Sequence, residues 1–524
     1  MALLTSLLCK LDARRPRPRG ADLPNPYLQG NFAPLGAEHD TPSLDVIQGA
    51  FPADLRGAHY RMSPAPRFTP PSPGLHHWFD GDGMIDAFFV AGGRVSHKNR
   101  WVRTAKLEKE ERAGHALFGG IRDLALSTSL EGWLAMGFTP GELVGLGVAG
   151  LLKRQPSDAQ IRKVLSAMDR SNTSIFLLAG RLLSLVEGSG AHEIDPRSLA
   201  TRGPFDFGGV LDALKGGMVA HPKVDPETGA IYTFGYWGMK GGITYRVIDG
   251  SGAQRFARDI ETPYPAMMHD FSVTETHAVF YHLPAVLHMD EPTNPNTIRW
   301  EPSRGARIGV VKRDDPAAPV KWYEIAPCYV YHPLNAFDDG REVVLDVVRY
   351  PRLPLFDPGG ESPNAPFDEY PAGKLTRVRL DLCSGETTET VLDESPCEFP
   401  IVDPRHALRR HRHGWFALRR GPTSGHGIMN AIGHIDMETG HVTYRDLGRA
   451  TYTNEPVFVP RAAHSPEGDG YLLTTVHHAD LGVSDLLLLD ARNIAGEPIA
   501  TARTKYRVPY GFHGTWVPDS NVPV

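Results

Sequence analysis

Four histidines stand in local settings that suit metal ligation. His332 lies in Ala326-Pro-Cys-Tyr-Val-Tyr-His-Pro-Leu-Asn-Ala-Phe-Asp-Asp-Gly340. His221 opens His-Pro-Lys-Val-Asp-Pro, His269 opens His-Asp-Phe-Ser-Val-Thr, and His513 sits in Gly-Phe-His-Gly-Thr-Trp516. Each is flanked by apolar or small residues and followed by a turn or strand pattern, so each fits the inner end of a strand. Neutral imidazole is the commonest metal ligand. Four imidazoles, with no thiolate and no directly bound carboxylate, would leave a divalent ion its full charge. The gaps of 48, 63 and 181 residues match no short metal motif. One His among 23 is ordinarily a surface or core hydrogen-bonding residue, so spacing alone leaves both readings open.

Three carboxylates share the apolar character of those settings. Glu187 lies in Leu-Leu-Ser-Leu-Val-Glu-Gly-Ser-Gly, Glu398 in Pro-Cys-Glu-Phe-Pro, and Glu455 in Asn-Glu-Pro-Val-Phe-Val-Pro-Arg. An unpaired charge in such surroundings is costly. A Glu that accepts the free N–H of a ligand imidazole would remove that cost and fix the tautomer. Bonding to backbone amides would serve equally well.

Bringing such distant residues together demands a particular architecture. From Asn172 onward the pattern is strand, turn, strand. Examples are 175–178, 182–187, 231–236, 243–248, 278–281, 308–311, 343–348, 376–380, 414–418, 471–476 and 486–489. Asp225-Pro-Glu-Thr-Gly229, Cys383-Ser-Gly385 and Asp436-Met-Glu-Thr-Gly440 are turn signals between them. Gly 54 and Pro 45 are scattered, as punctuation of many short strands would be. A closed radial array, a β-propeller, fits best, with a pair of β-sandwiches as the alternative. In a propeller the inner strands converge on one axis, so gaps of 48 and 63 residues are about one blade each and 181 about three.

Residues 1–45 are irregular and Pro-rich, which predicts an N-terminal arm over a single domain spanning 46–524. His76-His-Trp-Phe-Asp-Gly-Asp-Gly-Met84 predicts a tight Asp-Gly hairpin. Residues 120–170 differ from the rest. Leu124–Leu152 is rich in Leu, Gly and Ala, is broken by Pro140-Gly141, and precedes an amphipathic helix over Ser157–Asp169. These pieces predict a helical cap, and 124–152 equally suits an apolar surface touching a membrane leaflet. Each piece is too short to span a bilayer.

Composition sets outer limits. Net charge of −6 argues against a nucleic-acid partner. Cys9, Cys328, Cys383 and Cys397 are widely spaced with no CxxC, as free thiols in a reducing compartment would be. No secretory signal is recognisable, so a cytoplasmic location, with membrane association through 124–152, is the expectation. No dinucleotide fingerprint stands out, which predicts no organic cofactor.

Together these motifs resemble the carotenoid cleavage oxygenases, from about Ile47 to Trp516. The ordered matches include the four His and three Glu motifs, Trp78-Phe-Asp-Gly-Asp-Gly-Met84, Asn99-Arg-Trp-Val-Arg-Thr104 and Glu467-Gly-Asp-Gly-Tyr471. The resemblance implies a seven-bladed, all-β propeller with a helical cap over its metal-bearing face. It implies one Fe(II) per chain held by His221, His269, His332 and His513, with O2 as co-substrate. It also implies that Glu187 pairs with His269, Glu398 with His332 and Glu455 with His513, leaving His221 without a carboxylate. Thr173 matches a position whose methyl group crowds one open iron site.

The reaction so implied splits one conjugated C=C bond into two carbonyls. Substrate supplies all four electrons, and no side-chain acid or base is required. Family members take apocarotenoids, phenolic stilbenes or phenylpropenes. Phe79 matches the aromatic that stacks on substrate. Stilbene enzymes grip the phenol with a Tyr and a Lys, whose positions are Ile121 (in Ala116-Leu-Phe-Gly-Gly-Ile) and Val186 here. Glu131-Gly-Trp-Leu-Ala-Met-Gly-Phe138 is similar to the tunnel mouth of apocarotenoid members. An apolar polyene is therefore the first expectation. Phenolic stilbenes, vinyl phenols or phenylpropenes come second, and a non-catalytic interaction propeller is the alternative outside enzymes.

Overall fold

A computed structural model describes residues 24–122, 128, 130–143, 157–288, 297–355, 372–421 and 429–522. Its strands form seven blades around one axis. Blade 1 is built from Gly57–Pro64, Gly83–Ala91 and Arg94–Trp101, and blade 2 from Ser174–Leu178, Arg181–Leu185, Ala191–Ile194 and Thr201–Phe205. Blades 3 to 6 begin at Lys223, Phe271, Tyr329 and Cys397. Blade 7 runs from Thr451 to Arg503.

All eleven strands anticipated above are present, most extended by a residue or two. Strand 182–187 ends earlier, at Leu185. Alternation and β-branching explain the sheets. Ile231–Tyr236 and Ile243–Ile248, for example, pair antiparallel and bury nearly every side chain between neighbouring blades. Asx turns join the strands: Asp225 Oδ1 accepts the N–H groups of Glu227 and Thr228, and Gly229 closes the turn at φ +70°.

Both chain ends close the ring. Gly514–Pro518 pairs with Gly57–Pro64 at the inner edge of blade 1, and Asp45–Gly49 pairs with Ala500–Arg503 at the outer edge of blade 7. Blades 1 and 7 are thus each completed by a strand from the opposite end of the chain. The described residues before Asp45 lie against the body. Asp40–Thr41 adds to blade 1, and Tyr27 and Phe32 are buried near its upper loop.

The Asp-Gly pair at 80–83 does not make a hairpin. Gly57–Pro64 and Gly83–Ala91 are neighbours joined by a wide loop, and Trp78–Asp80 is a 3-10 turn. The carboxylates explain the difference. Asp80 accepts from the backbone N–H of His77 and of Ile121, and Asp82 pairs with Lys106, so both are committed to tertiary partners.

Between blades 1 and 2 lie the helices Ala105–Ala113, Leu130–Ala135 and Asp158–Met168. Ser157 caps the last through a reciprocal box with Gln160. Two helical pieces are divided here as expected: one ends at Ala135, and Pro140-Gly141 opens the next, capped by Thr139. Of 124–152, residues 124–127, 129 and 144–152 lie outside the described residues. In its described part, Met136 and Phe138 are buried against Leu117, Phe118 and Ala167. Among the described residues, no helix is long and apolar enough to cross a membrane. Cys328, Cys383 and Cys397 are free thiols.

Candidate metal centre and cavity

The four histidines meet at one point on the propeller axis. One nitrogen from each of His221, His269, His332 and His513 lies within 4.8 Å of the others, and all four side chains are buried. They arise from the inner strands of blades 3, 4, 5 and 1. His221 and His269 each stand two residues before an inner strand, and His513 immediately before one. His332 lies within its strand, where the pairing shifts register between Val330 and Pro333. Proline has no N–H for the ladder, and the resulting bulge lets His332 turn toward the axis.

The other three blades supply carboxylates. Glu187 follows the second strand of blade 2, Glu398 lies in the inner strand of blade 6, and Glu455 sits between two inner pieces of blade 7. Glu187 Oε2 is 2.7 Å from Nδ1 of His269, Glu398 Oε2 is 2.5 Å from Nδ1 of His332, and Glu455 Oε1 is 2.8 Å from Nδ1 of His513. These are the pairings the resemblance implies. His221 makes no such bond, its Nδ1 lying 4.0 Å from Asp270 Oδ2. Lys223 holds the Asp270 carboxylate at 2.7 Å.

This arrangement fits a cation. With Nδ1–H donated to a carboxylate in His269, His332 and His513, the Nε2 of each of these three presents a lone pair. Nε2 of His269 stands 3.1 Å from that of His221 and 3.2 Å from that of His332. Lone pairs facing at that distance repel unless a positive centre lies between them. Two nitrogens bound at right angles to one ion at about 2.1 Å each would be about 3.0 Å apart. Burial pushes His221 and His332 well below the usual imidazole range, helped by the neighbouring imidazoles, so both rings are neutral, the form a metal would need. Burial opposes the proton on His269, but Glu187 beside it prevails and raises its pKa. Burial also pushes the Glu398 carboxyl up to about 7, against the Phe399 N–H and the Tyr350 hydroxyl.

A cavity of about 290 Å³ opens beside the cluster. Phe79, Ile121, Val186 and Thr173, singled out from the sequence, all line it. Arg170 ties its wall together, donating to the carbonyls of Asp80 and Gly119, while Asn172 donates to those of Phe79 and Gly81. The carbonyl of Thr173 accepts the N–H of His513, which joins that part of the wall to a cluster histidine.

Tyr236, Tyr350 and Asp80 were not anticipated. The tyrosines end the second strands of blades 3 and 5, at Ile231–Tyr236 and Glu342–Tyr350, and line the cavity. Nothing local distinguishes them from other strand tyrosines, because their partners are 49 and 48 residues away. Asp80 was visible as a motif residue, but its bond to Ile121 spans 41 residues.

The comparisons agree with this geometry. The family model described as retinal pigment epithelial membrane protein matches residues 32–518. The chain is 33% identical to isoeugenol monooxygenase of Pseudomonas nitroreducens, over 94% of its own length and 98% of that protein's. It is 30% identical to apocarotenoid-15,15'-oxygenase of Synechocystis, over 90% and 92% of the two lengths. The crystal structure of Pseudomonas brassicacearum lignostilbene dioxygenase superposes with a TM-score of 0.82 at 28% identity, covering 96% of this chain and 99% of that one. Matches of this extent carry the whole propeller, and the chain is an oxygenase of the carotenoid cleavage family.

Proposed function

We propose that the protein is a non-haem Fe(II) dioxygenase that splits a C=C bond of an apolar conjugated alkene with O2, giving two carbonyl products. The observation that carries this reading is the convergence of four buried imidazoles beside a cavity walled by Phe79, Ile121 and Val186. His221, His269, His332 and His513 would hold one Fe(II), with Glu187, Glu398 and Glu455 orienting three of them. When bound, the ion supplies the means to bring O2 to the alkene. The protein contributes ligand geometry, substrate register and exclusion of water.

The wall chemistry favours an apocarotenoid-type polyene. An apolar chain enters beside Ile121 and Val186 without stripping water from a polar group. A phenol placed there would bury its hydroxyl at a cost of roughly 1–3 kcal/mol if unsatisfied. The hydroxyls of Tyr236 and Tyr350 already donate to Glu187 and Glu398. Cavity size supports a second reading. A volume of about 290 Å³ lies at the small end of ligand pockets and suits a compact aryl alkene, such as a phenylpropene, better than a long polyene.

The test is anaerobic reconstitution with Fe(II), exposure to heavy-isotope O2, and product analysis on apocarotenals, stilbenes and phenylpropenes. The reading expects carbonyl products carrying the label from an apolar member of the panel. Cleavage of phenols alone, with every apocarotenal intact, would replace the first substrate class by the second. No cleavage by iron-loaded protein would overturn the catalytic reading.

A further inference from the structure

Each of two cavity tyrosines donates to a carboxylate that in turn contacts a cluster histidine. Tyr236 Oη donates to Glu187 Oε1 at 2.7 Å, and Glu187 Oε2 meets His269 Nδ1 at 2.7 Å. Tyr350 Oη donates to Glu398 Oε1 at 3.0 Å, and Glu398 Oε2 meets His332 Nδ1 at 2.5 Å. The two carboxylates thus each divide their oxygens between a phenol and an imidazole. Glu455 is built differently. Its Oε1 contacts His513 Nδ1, and its Oε2 accepts the backbone N–H of Gly514 at 2.8 Å. A backbone donor is fixed by the fold, whereas a tyrosine ring lining a cavity touches whatever fills it.

We infer that Tyr236 and Tyr350 are positioning residues that act through Glu187 and Glu398 to set the orientation and donor strength of His269 and His332, and that they link cavity occupancy to the metal ligands. This rests on the proposed metal site. The physical chain is short. A phenol O–H bonded to one carboxylate oxygen draws charge from the other, which weakens its pull on the imidazole Nδ1–H and lowers the basicity of Nε2. It also fixes the carboxylate plane, and with it the ring direction. Both phenols are themselves anchored by blade strands, Tyr236 pairing with Ile243 and Tyr350 with Tyr329. Both rings line the cavity, Tyr350 also meeting the ring of Tyr331 with centroids 5.9 Å apart. A ligand pressing on either ring therefore reaches the metal ligand through two hydrogen bonds, with no backbone movement.

The test uses the full chain and Co(II), a spectroscopically visible divalent probe. Wild type, Tyr236→Phe, Tyr350→Phe, Glu398→Gln and the double variant Tyr350→Phe with Glu398→Gln are titrated with Co(II), and the ligand-field bands are recorded. Circular dichroism verifies folding, and the two phenylalanine variants test the two arms independently. The expected result is an affinity change of about 10-fold for each, in the range typical of groups supporting metal ligands, with displaced bands. The effect of Tyr350→Phe should largely vanish in the Glu398→Gln background, because the tyrosine acts only through that carboxylate. Wild-type affinity and unchanged bands in both phenylalanine variants would overturn the inference, as would full additivity in the double variant. Failure of the wild type to bind Co(II), or retention of wild-type binding by His332→Ala, would instead overturn the metal site on which the inference stands.

Discussion

Glu398 and His332 are joined at 2.5 Å across adjacent blades, where the register shifts between Glu398 and Ile401. Phe399 adopts φ +54°, a region a bulky side chain rarely enters. Its N–H donates back to Glu398 Oε2 at 2.6 Å, and its ring stacks on His332 with centroids 5.8 Å apart. Glu398→Gln should keep the shape and lose the charge, lowering iron affinity or turnover roughly 10–100-fold. Iron titration and steady-state rates check this, and unchanged values in Glu398→Gln would remove Glu398 from the site.

Removal of a ligand should have a larger effect. His332→Ala is expected to purify with little iron and no cleavage activity, while retaining the propeller's circular dichroism. Plasma emission on the purified protein gives the iron content. Chelation of wild type should abolish activity, and added Fe(II) should restore it.

Asp80 holds two opposite parts of the cavity wall. Its Oδ1 accepts the Ile121 N–H at 2.6 Å, while Phe79 is its chain neighbour. Gly120 lies so close that a Cβ there would meet Asp80 Oδ2 at 2.2 Å. Asp80→Asn and Gly120→Ala should therefore raise KM several-fold with a smaller change in kcat, and leave iron content intact. Equal loss of kcat and kcat/KM would mean that the clamp acts on the chemistry and not on the wall.

Selectivity should follow the polarity of two wall positions. Ile121→Tyr combined with Val186→Lys supplies a hydroxyl and an ammonium where the cavity is apolar. Relief of an unsatisfied buried hydroxyl, worth roughly 1–3 kcal/mol, corresponds to about one to two powers of ten. The ratio of kcat/KM for a para-hydroxystilbene over an apocarotenal should rise by about that factor in a competition assay.

Stability should fall in mild acid for reasons remote from the site. Burial lowers His282, His434 and His477 to about 4 each. An unfolded chain protonates these residues near pH 6.5, the folded chain only near 4, so the unfolded state binds more protons in between. Their contribution is complete above about pH 6.5 and is lost as pH drops toward 4, at roughly 1.4 kcal/mol per group per pH unit. Denaturant midpoints measured between pH 7 and 4.5 should decline, and His434→Gln should flatten part of that slope.

The four histidines and the three carboxylates were legible because their motifs, taken together and in order, resemble those of a known family; singly, each left a surface or core role open. His-Asp-Phe-Ser-Val-Thr and Pro-Cys-Glu-Phe-Pro need no folding to be noticed. The strands were equally legible, since alternation over five or six residues is a local property. The Asp-Gly pair misled for the converse reason. Its local turn propensity was real, but Asp80 and Asp82 are drawn to Ile121 and Lys106, partners 41 and 24 residues away.

What the chain alone determined was thus which residues have the chemistry and which segments extend. Tertiary structure decided what they touch. That one closing strand puts His513 beside His221, that Tyr236 and Tyr350 donate to Glu187 and Glu398, and that Asp270 stands 4.0 Å from His221 all follow from blades meeting at a common axis. A radial fold brings together residues tens to hundreds of positions apart, and local propensity carries no information about which of them will share the centre.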